Sequence, residues 1–342
     1  MAKDAAEHDA RARAVIAEAD ERLGFALSKL MFNGPQEELT LTYNAQPALL
    51  TASIALLQLV DGAGLKADYV AGHSLGEYTA LVAAGAMSFA DAVYAVRRRG
   101  ELMDEAVPAG EGTMAAVLGM DADALEAVTN EIAAQGDPVE PANFNCPGQI
   151  VISGSKAGVE KAAQLLKERG AKRVIPLEVS GPFHSALMKP AAEKLKAVLD
   201  SLVIRDAVIP VVANVTAEPV TKKEDIARLL IEQLYSPVRW EQSVRTLLSL
   251  GVDTFVEIGP GKVLSGLVKK TRPQRPRLCG ERSCFLRSDR CGAERGIKRC
   301  SKEKLALVTG VVARHWPGGR SGACPPRGER CRQLRRQRGE SE

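Results

Sequence analysis

Residues 67–86 read ADYVAGHSLGEYTALVAAGA and predict a short buried strand, a sharp turn at Ser74 and a following helix. The turn holds Gly-x-Ser-x-Gly, the spacing that lifts a serine hydroxyl off the end of a sheet strand. The backbone N–H of Leu75 then points to where an oxyanion would develop at the helix N-terminus. The alternative is a serine that only caps the helix. The stretch predicts an α/β fold with Ser74 as a candidate nucleophile.

An ordered alternation of elements follows this helix and a second one. Strands are predicted at 113–120, 138–145, 149–155 and 172–180, with helices at 121–135 and 156–169. The order βαββαβ is the ferredoxin-like pattern. We therefore expect a ferredoxin-like subdomain at residues 108–180, inserted into an α/β-hydrolase-like large subdomain that residues 1–107 and 181–271 form together.

A serine nucleophile needs a base, and the chain has four histidines. His8 lies in a charged helix, and His315 lies in a tail of unusual composition. His73 adjoins Ser74, where neighbouring side chains at a tight turn point apart, so a structural role is expected. His184, in a loop before a helix, is left as the candidate base. No carboxylate stands out as its partner, so the sequence favours a dyad or an unusual orienting group.

Three consecutive arginines, Arg97, Arg98 and Arg99, lie on the second helix after the serine. A charge run of this kind is usually a solvated helix face. An arginine held near the nucleophile would instead bind a carboxylate through two parallel hydrogen bonds. Spacing alone leaves both interpretations open.

The composition divides the chain into an acidic body and a basic tail. Residues 272–342 carry 19 Lys and Arg against 7 Asp and Glu, and six of the seven cysteines. The body has no apolar leader, and its most apolar run, residues 48–60, contains Thr and Ser and is too short to span a bilayer. A cytoplasmic protein without a membrane segment is predicted.

The body is similar to the malonyl-CoA:acyl-carrier-protein transacylases of bacterial fatty acid synthesis. The motifs occur in family order across nearly all of residues 20–271, which is far more specific than one pentapeptide. They are NAQPALLTAS (44–53), AGHSLGEYTAL (71–81), RRGELMDEAVP (98–108), NFNCPGQIVISG (143–154), PFHSALMKPAAEKL (182–195), EQLYSPVRW (232–240) and EIGPGKVLSGLVKK (257–270).

The resemblance implies a role for each matching residue. Ser74 corresponds to the nucleophile that carries the malonyl group as an ester, and His184 corresponds to the general base. Arg99 corresponds to the arginine that binds the free malonyl carboxylate. Gln233 corresponds to the residue whose backbone carbonyl orients the histidine, and Leu75 corresponds to an oxyanion-hole donor.

The implied reaction is ping-pong transfer of malonyl from malonyl-CoA to the phosphopantetheine thiol of acyl carrier protein. It requires no metal or redox cofactor. The implied partners are malonyl-CoA and acyl carrier protein, with no nucleic acid and no membrane, and a monomer is expected. Phe183, beside His184, resembles the pattern of malonyl-type rather than methylmalonyl-type members.

The chain departs from the family at its start. Members open with a strand and a Gly-Gln-Gly-Ser-Gln loop that supplies a second oxyanion-hole donor, and residues 1–20 contain neither. Loss of one such donor lowers rates by about 10²–10³-fold. The sequence therefore predicts an N-terminally truncated transacylase that lacks a central strand and is weakly active or inactive.

The tail, residues 272–342, has no paired Cys-x-x-Cys, which argues against zinc, and its basic residues suit only nonspecific phosphate attraction. Residues 301–310, SKEKLALVTG, resemble the first strand of a 3-oxoacyl-carrier-protein reductase without the Gly-rich loop that should follow. We interpret the tail as the product of frameshifts and expect it to have no defined fold.

Two other functions remain open from the sequence. A serine hydrolase or thioesterase would release free acid and would need no Arg99. A non-catalytic remnant would at most bind carrier protein and would form no malonyl ester on Ser74.

Overall fold

The computed structural model describes residues 1–61, 66–108, 110–272 and 304–309. The strands are β1 Tyr69–Gly72, β2 Gly112–Leu118, β3 Val139–Cys146, β4 Gln149–Ser155, β5 Arg173–Pro176, β6 Val211–Val212, β7 Pro219–Val220, β8 Val252–Ile258 and β9 Lys304–Thr309. The helices are α1 Lys3–His8, α2 Ala10–Leu23, α3 Leu27–Asn33, α4 Gln36–Thr40, α5 Thr42–Asp61, α6 Gly76–Ala83, α7 Phe89–Glu105, α8 Ala122–Ala134, α9 Lys156–Glu168, α10 Lys189–Asp200, α11 Lys223–Glu232, α12 Trp240–Ser249 and α13 Val263–Thr271.

The larger of two sheets carries the nucleophile strand near its centre. Its order is β7-β6-β1-β9-β8, and β1 pairs in parallel with both β6 and β9. Only β7 runs antiparallel, at one edge. A parallel sheet exposes the carboxyl ends of its strands along one edge, which is where α/β proteins place their sites. The turn after β1 therefore opens at that edge.

Strand β9 comes from the tail and lies between β1 and β8. Thr309 is paired with Gly72 of β1 on one side and with Ile258 of β8 on the other. Leu305 and Leu307 are buried against the helices on one face, and Ala306 and Val308 are buried in the core on the other face. A continuous apolar run suits a strand that is covered on both faces.

This placement corrects one expectation from the sequence. The prediction that the tail has no defined fold is wrong for residues 304–309. Residues 1–20 supply no strand, as expected, and β9 lies inside the sheet between β1 and β8. The apolar run LALV met the requirements of a buried parallel strand, whatever the origin of the surrounding sequence. Residues 273–303 and 310–342 of the tail, with the six cysteines and the frameshift interpretation that rests on them, lie outside the described residues.

The smaller sheet confirms the ferredoxin-like prediction. Its four antiparallel strands have the order β3-β4-β2-β5, and their chain order with α8 and α9 is βαββαβ. The apolar faces of both helices pack on one side of this sheet. The residue borders of the two subdomains stay a prediction.

Helix α7 approaches α5 closely because Gly100 has no side chain. A Cβ atom on Gly100 would lie 2.6 Å from Cα of Tyr43, which is closer than real Cβ contacts. The close approach brings the neighbouring residue, Arg99, into the interior beside α5. None of the helices within the described ranges has the length and apolarity to cross a membrane.

Replacing Leu307 with alanine is expected to lower the free energy of unfolding by about 2–5 kcal/mol, because a buried leucine leaves a cavity in the sheet-facing core. Denaturant titration followed by circular dichroism measures the change. The matched control is Leu41→Ala, since Leu41 is 40% exposed and its loss should matter by less than about 1 kcal/mol. Equal midpoints for the two variants would show that β9 does not contribute to the folded sheet.

Candidate active site

The turn between β1 and α6 holds Ser74 in a left-handed backbone conformation, with φ of 52°. Such a conformation is costly for a non-glycine residue and is common at catalytic turns. Gly72 makes the turn possible, since a Cβ atom there would overlap the backbone of Gly76 and Glu77. Asn214 stabilises the turn through its Oδ1 atom, which accepts the backbone N–H of Ser74 at 2.7 Å.

His184 meets Ser74 across the site from more than a hundred residues further along the chain. Its Nε2 atom lies 2.8 Å from Oγ of Ser74, and its Nδ1 atom lies 2.8 Å from the backbone oxygen of Gln233. A carbonyl oxygen only accepts hydrogen bonds, so Nδ1 carries the proton and Nε2 accepts the hydroxyl hydrogen of Ser74. His184 is 4% exposed, and burial together with the charge of Arg99 lowers its pKa to about 3. The imidazole is therefore neutral at physiological pH and able to take a proton.

Arg99 is buried beside the nucleophile, with 1% of its surface exposed. Its Nη2 atom donates to Oγ of Ser74 at 3.1 Å and to Oε1 of Gln233 at 3.0 Å, and its Nη1 atom donates to Oε1 of Gln46 at 2.8 Å. Its Nε–H has no acceptor, and the guanidinium forms no salt bridge with any residue that the structure describes. Burial lowers its pKa, although an arginine stays charged. A buried positive charge with unused donors suits an anionic ligand.

The three arginines of the charge run thus have different surroundings. Arg97 and Arg98 both pair with Glu101 at the surface of α7. Arg99 lies about 100° around the helix from Arg98 and about 200° from Arg97, and it faces the interior. The solvated-face interpretation fits Arg98, whereas Arg97 is partly buried and also donates to the backbone oxygen of Tyr43 and to Oδ1 of Asn44. The carboxylate-clamp interpretation fits only Arg99.

Gln233 and Glu77 complete a buried network beneath the serine. The Nε2 atom of Gln233 donates to the backbone oxygen of Ser74 at 3.1 Å and to Oε2 of Glu77 at 2.8 Å. The same carboxylate oxygen accepts the backbone N–H of Asn214 at 3.0 Å. Burial raises the pKa of Glu77 to about 7, against the opposing effects of these hydrogen bonds and of the Arg99 charge.

Leu75 follows the nucleophile at the start of α6. Its backbone N–H has no hydrogen-bond acceptor among the described residues, whereas the N–H groups of Gly76 and Glu77 are bonded to oxygens of His73 and Ser74. An N–H that is free at a helix N-terminus is suited to an oxyanion on an acyl group attached to Ser74.

His73 points away from the chemistry, as expected for a structural residue. Its Nε2 atom lies 2.9 Å from Oδ1 of Asn145, and its ring packs against Trp240 with centroids 5.8 Å apart. Burial lowers its pKa to about 4. In the described ranges, no three His, Cys, Asp or Glu side chains converge as a metal site would require.

Three site residues escaped the sequence reasoning: Gln46, Glu77 and Asn214. Gln46 and Glu77 lie inside quoted motifs and were visible only as part of a pattern, and no quoted motif contains Asn214. Their partners lie 53 to 156 residues away, and no local spacing encodes such pairs.

A serine hydroxyl bonded to a buried, neutral histidine suits an enzyme that carries an acyl group on a serine. Comparison with known proteins narrows the class of enzyme. Residues 1–283 match the acyl transferase domain family, and the chain belongs to that family. The family expected from the motifs is confirmed, and the chain is an acyltransferase.

The relatives and solved structures to which the chain is similar are named as malonyl transferases. The chain is 64% identical over 270 residues to the malonyl CoA-acyl carrier protein transacylase of Bacillus subtilis strain 168, across 79% of this chain and 85% of the relative. A solved acyl carrier protein S-malonyltransferase from Vibrio cholerae matches with a TM-score of 0.78 and 42% identity, over 92% of this chain and 93% of that one. A malonyl-transacylase solved in complex with the acyl-carrier protein of a type II polyketide synthase matches with a TM-score of 0.77 and 46% identity, over 79% and 88%.

Replacing Gly72 with alanine should displace the Ser74 turn, since the added Cβ has no room against the α6 backbone. A displacement near 1 Å lowers reactivity by about 10²-fold. The rate at which a fluorophosphonate labels Ser74 measures the change. The matched control is Gly266→Ala, because Gly266 lies in a helix with open space around it. Unchanged labelling of the Gly72 variant would show that the turn tolerates a side chain there.

Proposed function

We propose that this chain transfers a malonyl group from malonyl-CoA to the phosphopantetheine thiol of acyl carrier protein, with Ser74 as the carrier of the acyl group. The observation that carries the proposal is Arg99, a buried guanidinium within 3.1 Å of the serine oxygen and without a carboxylate partner among the described residues. A malonyl group presents a thioester for the serine and a free carboxylate for the arginine. The names of the relatives support this substrate and this acceptor.

In the first half-reaction, Nε2 of His184 takes the hydroxyl proton of Ser74 at the 2.8 Å contact while Oγ attacks the thioester carbonyl. The oxyanion that forms is stabilised by the N–H of Leu75. Collapse breaks the C–S bond, and the imidazolium returns its proton to the leaving sulfur of CoA. The product is a malonyl ester on Ser74.

In the second half-reaction, the carrier-protein thiol enters and gives its proton to Nε2 of His184. The thiolate attacks the ester carbonyl, the C–Oγ bond breaks, and Ser74 recovers the proton from the imidazolium. Through both halves the carbonyl of Gln233 holds the proton on Nδ1 at 2.8 Å, so the same nitrogen serves as base and then as acid.

A cytoplasmic location and a monomeric state belong to the same proposal and rest on the sequence. The relative that was solved with an acyl-carrier protein supports carrier protein as the partner. A hydrolase is the rival function, and it differs in the fate of the ester: water rather than a thiol would remove the acyl group.

Intact-mass spectrometry after mixing with malonyl-CoA should show one malonyl group, absent from the Ser74→Ala variant because Ser74 is the hydroxyl that lies 2.8 Å from Nε2 of His184. Addition of holo-acyl carrier protein should then move the mass to that protein. Loss of the malonyl group to water at the same rate with or without carrier protein would favour the hydrolase. Absence of any ester on the wild-type chain would overturn the proposal.

Arg99→Ala should lower the acylation rate constant per KM for malonyl-CoA by about 10²-fold, the effect of losing hydrogen bonds to a charged group. Acylation by acetyl-CoA, which has no carboxylate, should fall far less. Single-turnover acylation with both substrates gives the ratio of the malonyl to the acetyl acylation rate. Arg98→Ala is the matched control, since Arg98 lies next along α7 and pairs with Glu101 at the surface. An unchanged malonyl-to-acetyl ratio in the Arg99 variant would contradict a carboxylate-binding role.

A further inference from the structure

Glu77 is a fully buried acidic residue that the proposed reaction does not use. It lies in the first turn of α6, with 3% of its surface exposed, and forms no salt bridge within the described residues. Its Oε2 atom accepts two hydrogen bonds, from Nε2 of Gln233 at 2.8 Å and from the backbone N–H of Asn214 at 3.0 Å. A buried carboxylate is costly unless its hydrogen bonds serve the fold or the site.

The side chain of Gln233 can point its oxygen either way, and its neighbours decide the direction. Arg99 lies on one side, and Glu77 lies on the other side together with the backbone oxygen of Ser74. An amide has an accepting oxygen and a donating nitrogen, and a guanidinium only donates. Oε2 of Glu77 is an acceptor here, since it also accepts the backbone N–H of Asn214. The Gln233 nitrogen therefore faces Glu77, and the Gln233 oxygen faces Arg99. The opposite orientation would place two acceptors together and two donors together.

The same arrangement compensates the Arg99 charge without covering it. A direct salt bridge would occupy the donors that a substrate carboxylate needs. Here Glu77 lies behind the Gln233 amide, and its electrostatic interaction with Arg99 raises the pKa of Arg99 against the effect of burial. The groups that face Glu77 from other elements are Arg99 on α7, Gln233 after α11 and Asn214 after β6.

We propose that Glu77 is a positioning residue for acyl-group selection: it orients the Gln233 amide, and through that amide it directs the Arg99 guanidinium toward the acyl group on Ser74. The role in selection rests on the proposed function, because it assumes an acyl group with a carboxylate. The Asn214 contact adds a second effect, since Oδ1 of the same asparagine holds the backbone N–H of Ser74 at 2.7 Å.

Two substitutions separate orientation from charge. Glu77→Gln keeps a carbonyl oxygen that can accept from both N–H donors, but it loses the charge. Glu77→Met keeps the length of the side chain and loses both the accepting oxygen and the charge. We expect Glu77→Met to lower single-turnover acylation by malonyl-CoA by about 10- to 100-fold, the effect of a lost hydrogen bond to a charged group, with a smaller fall for acetyl-CoA. Glu77→Gln should restore malonyl acylation to within about threefold of the wild type, since its oxygen can accept both bonds.

A double-mutant cycle with Gln233→Met tests the path through the amide. That variant keeps the backbone carbonyl that orients His184 and removes the side chain that Glu77 holds. In this background Glu77→Met should change malonyl acylation by less than about threefold, because residues in one hydrogen-bond network are not additive. An equal effect in both backgrounds would overturn the proposal, as would a Glu77→Gln variant as slow as Glu77→Met.

Glu257→Met is the matched control for loss of a buried carboxylate. Glu257 accepts the backbone N–H groups of Leu264 and Ser265 at the start of α13, outside the Ser74 network. The Glu257→Met variant should have a lower denaturation midpoint and an unchanged ratio of malonyl to acetyl acylation rates. If Glu77→Met behaves in the same way, the role of Glu77 is structural and the proposal is wrong.

Failure of the proposed function is distinguishable from failure of this inference. If the wild-type chain takes no malonyl group, the function is wrong, and the cycle is repeated with fluorophosphonate labelling of Ser74, which needs no carboxylate. The Gln233 amide also bonds to the backbone oxygen of Ser74 at 3.1 Å, so labelling should show the same coupling between Glu77 and Gln233. Additive labelling rates would then overturn the positioning role by themselves.

Discussion

The hydrogen bond from Nδ1 of His184 to the backbone oxygen of Gln233 is the constraint on which the site depends. A carbonyl oxygen fixes the histidine tautomer without adding a negative charge to the site. A carboxylate in that place would pair with Arg99 as well, and it would compete with an anionic substrate. The site therefore keeps its one carboxylate, Glu77, behind the Gln233 side chain. Gln233 thus orients His184 with its backbone oxygen and accepts a hydrogen bond from Arg99 with its side-chain amide.

The central strand links this chemistry to the far end of the chain. The backbone N–H of His73 donates to the oxygen of Thr309 at 3.0 Å, so the residue before the nucleophile is fastened to β9. Strand β9 pairs in parallel with β1 on one side and with β8 on the other. Its apolar side chains are buried on both faces of the sheet. The strained Ser74 turn is held between this ladder and Asn214 on the other side. The stability of the sheet and the geometry of the serine are consequently not independent.

Sequence reasoning was most successful where the determinants are local. The Ser74 turn follows from glycine spacing, and the ferredoxin-like order follows from alternating periodicities within 75 residues. His184 was reached by elimination among four histidines, and Arg99 by resemblance. Glu77 and Asn214 were missed because the hydrogen bonds that join them to each other, Asn214 to Ser74 and Glu77 to Gln233 span 137 to 156 residues, which no periodicity records. The LALV run of β9 indicated a strand, but nothing in one sequence states which strands it will separate.

The Arg99 charge acts on the base as well as on the substrate. Burial of His184, and after it the charge of Arg99, lower the pKa of His184 to about 3, which keeps the base neutral before substrate arrives. A substrate carboxylate on Arg99 would oppose that effect, so His184 would become more basic when the correct acyl group is bound. Proton transfer from Ser74 would then be favoured by the substrate that carries the carboxylate. Selection of the acyl group and activation of the base would thus follow from a single electrostatic contact, and an acyl group without a carboxylate would obtain neither.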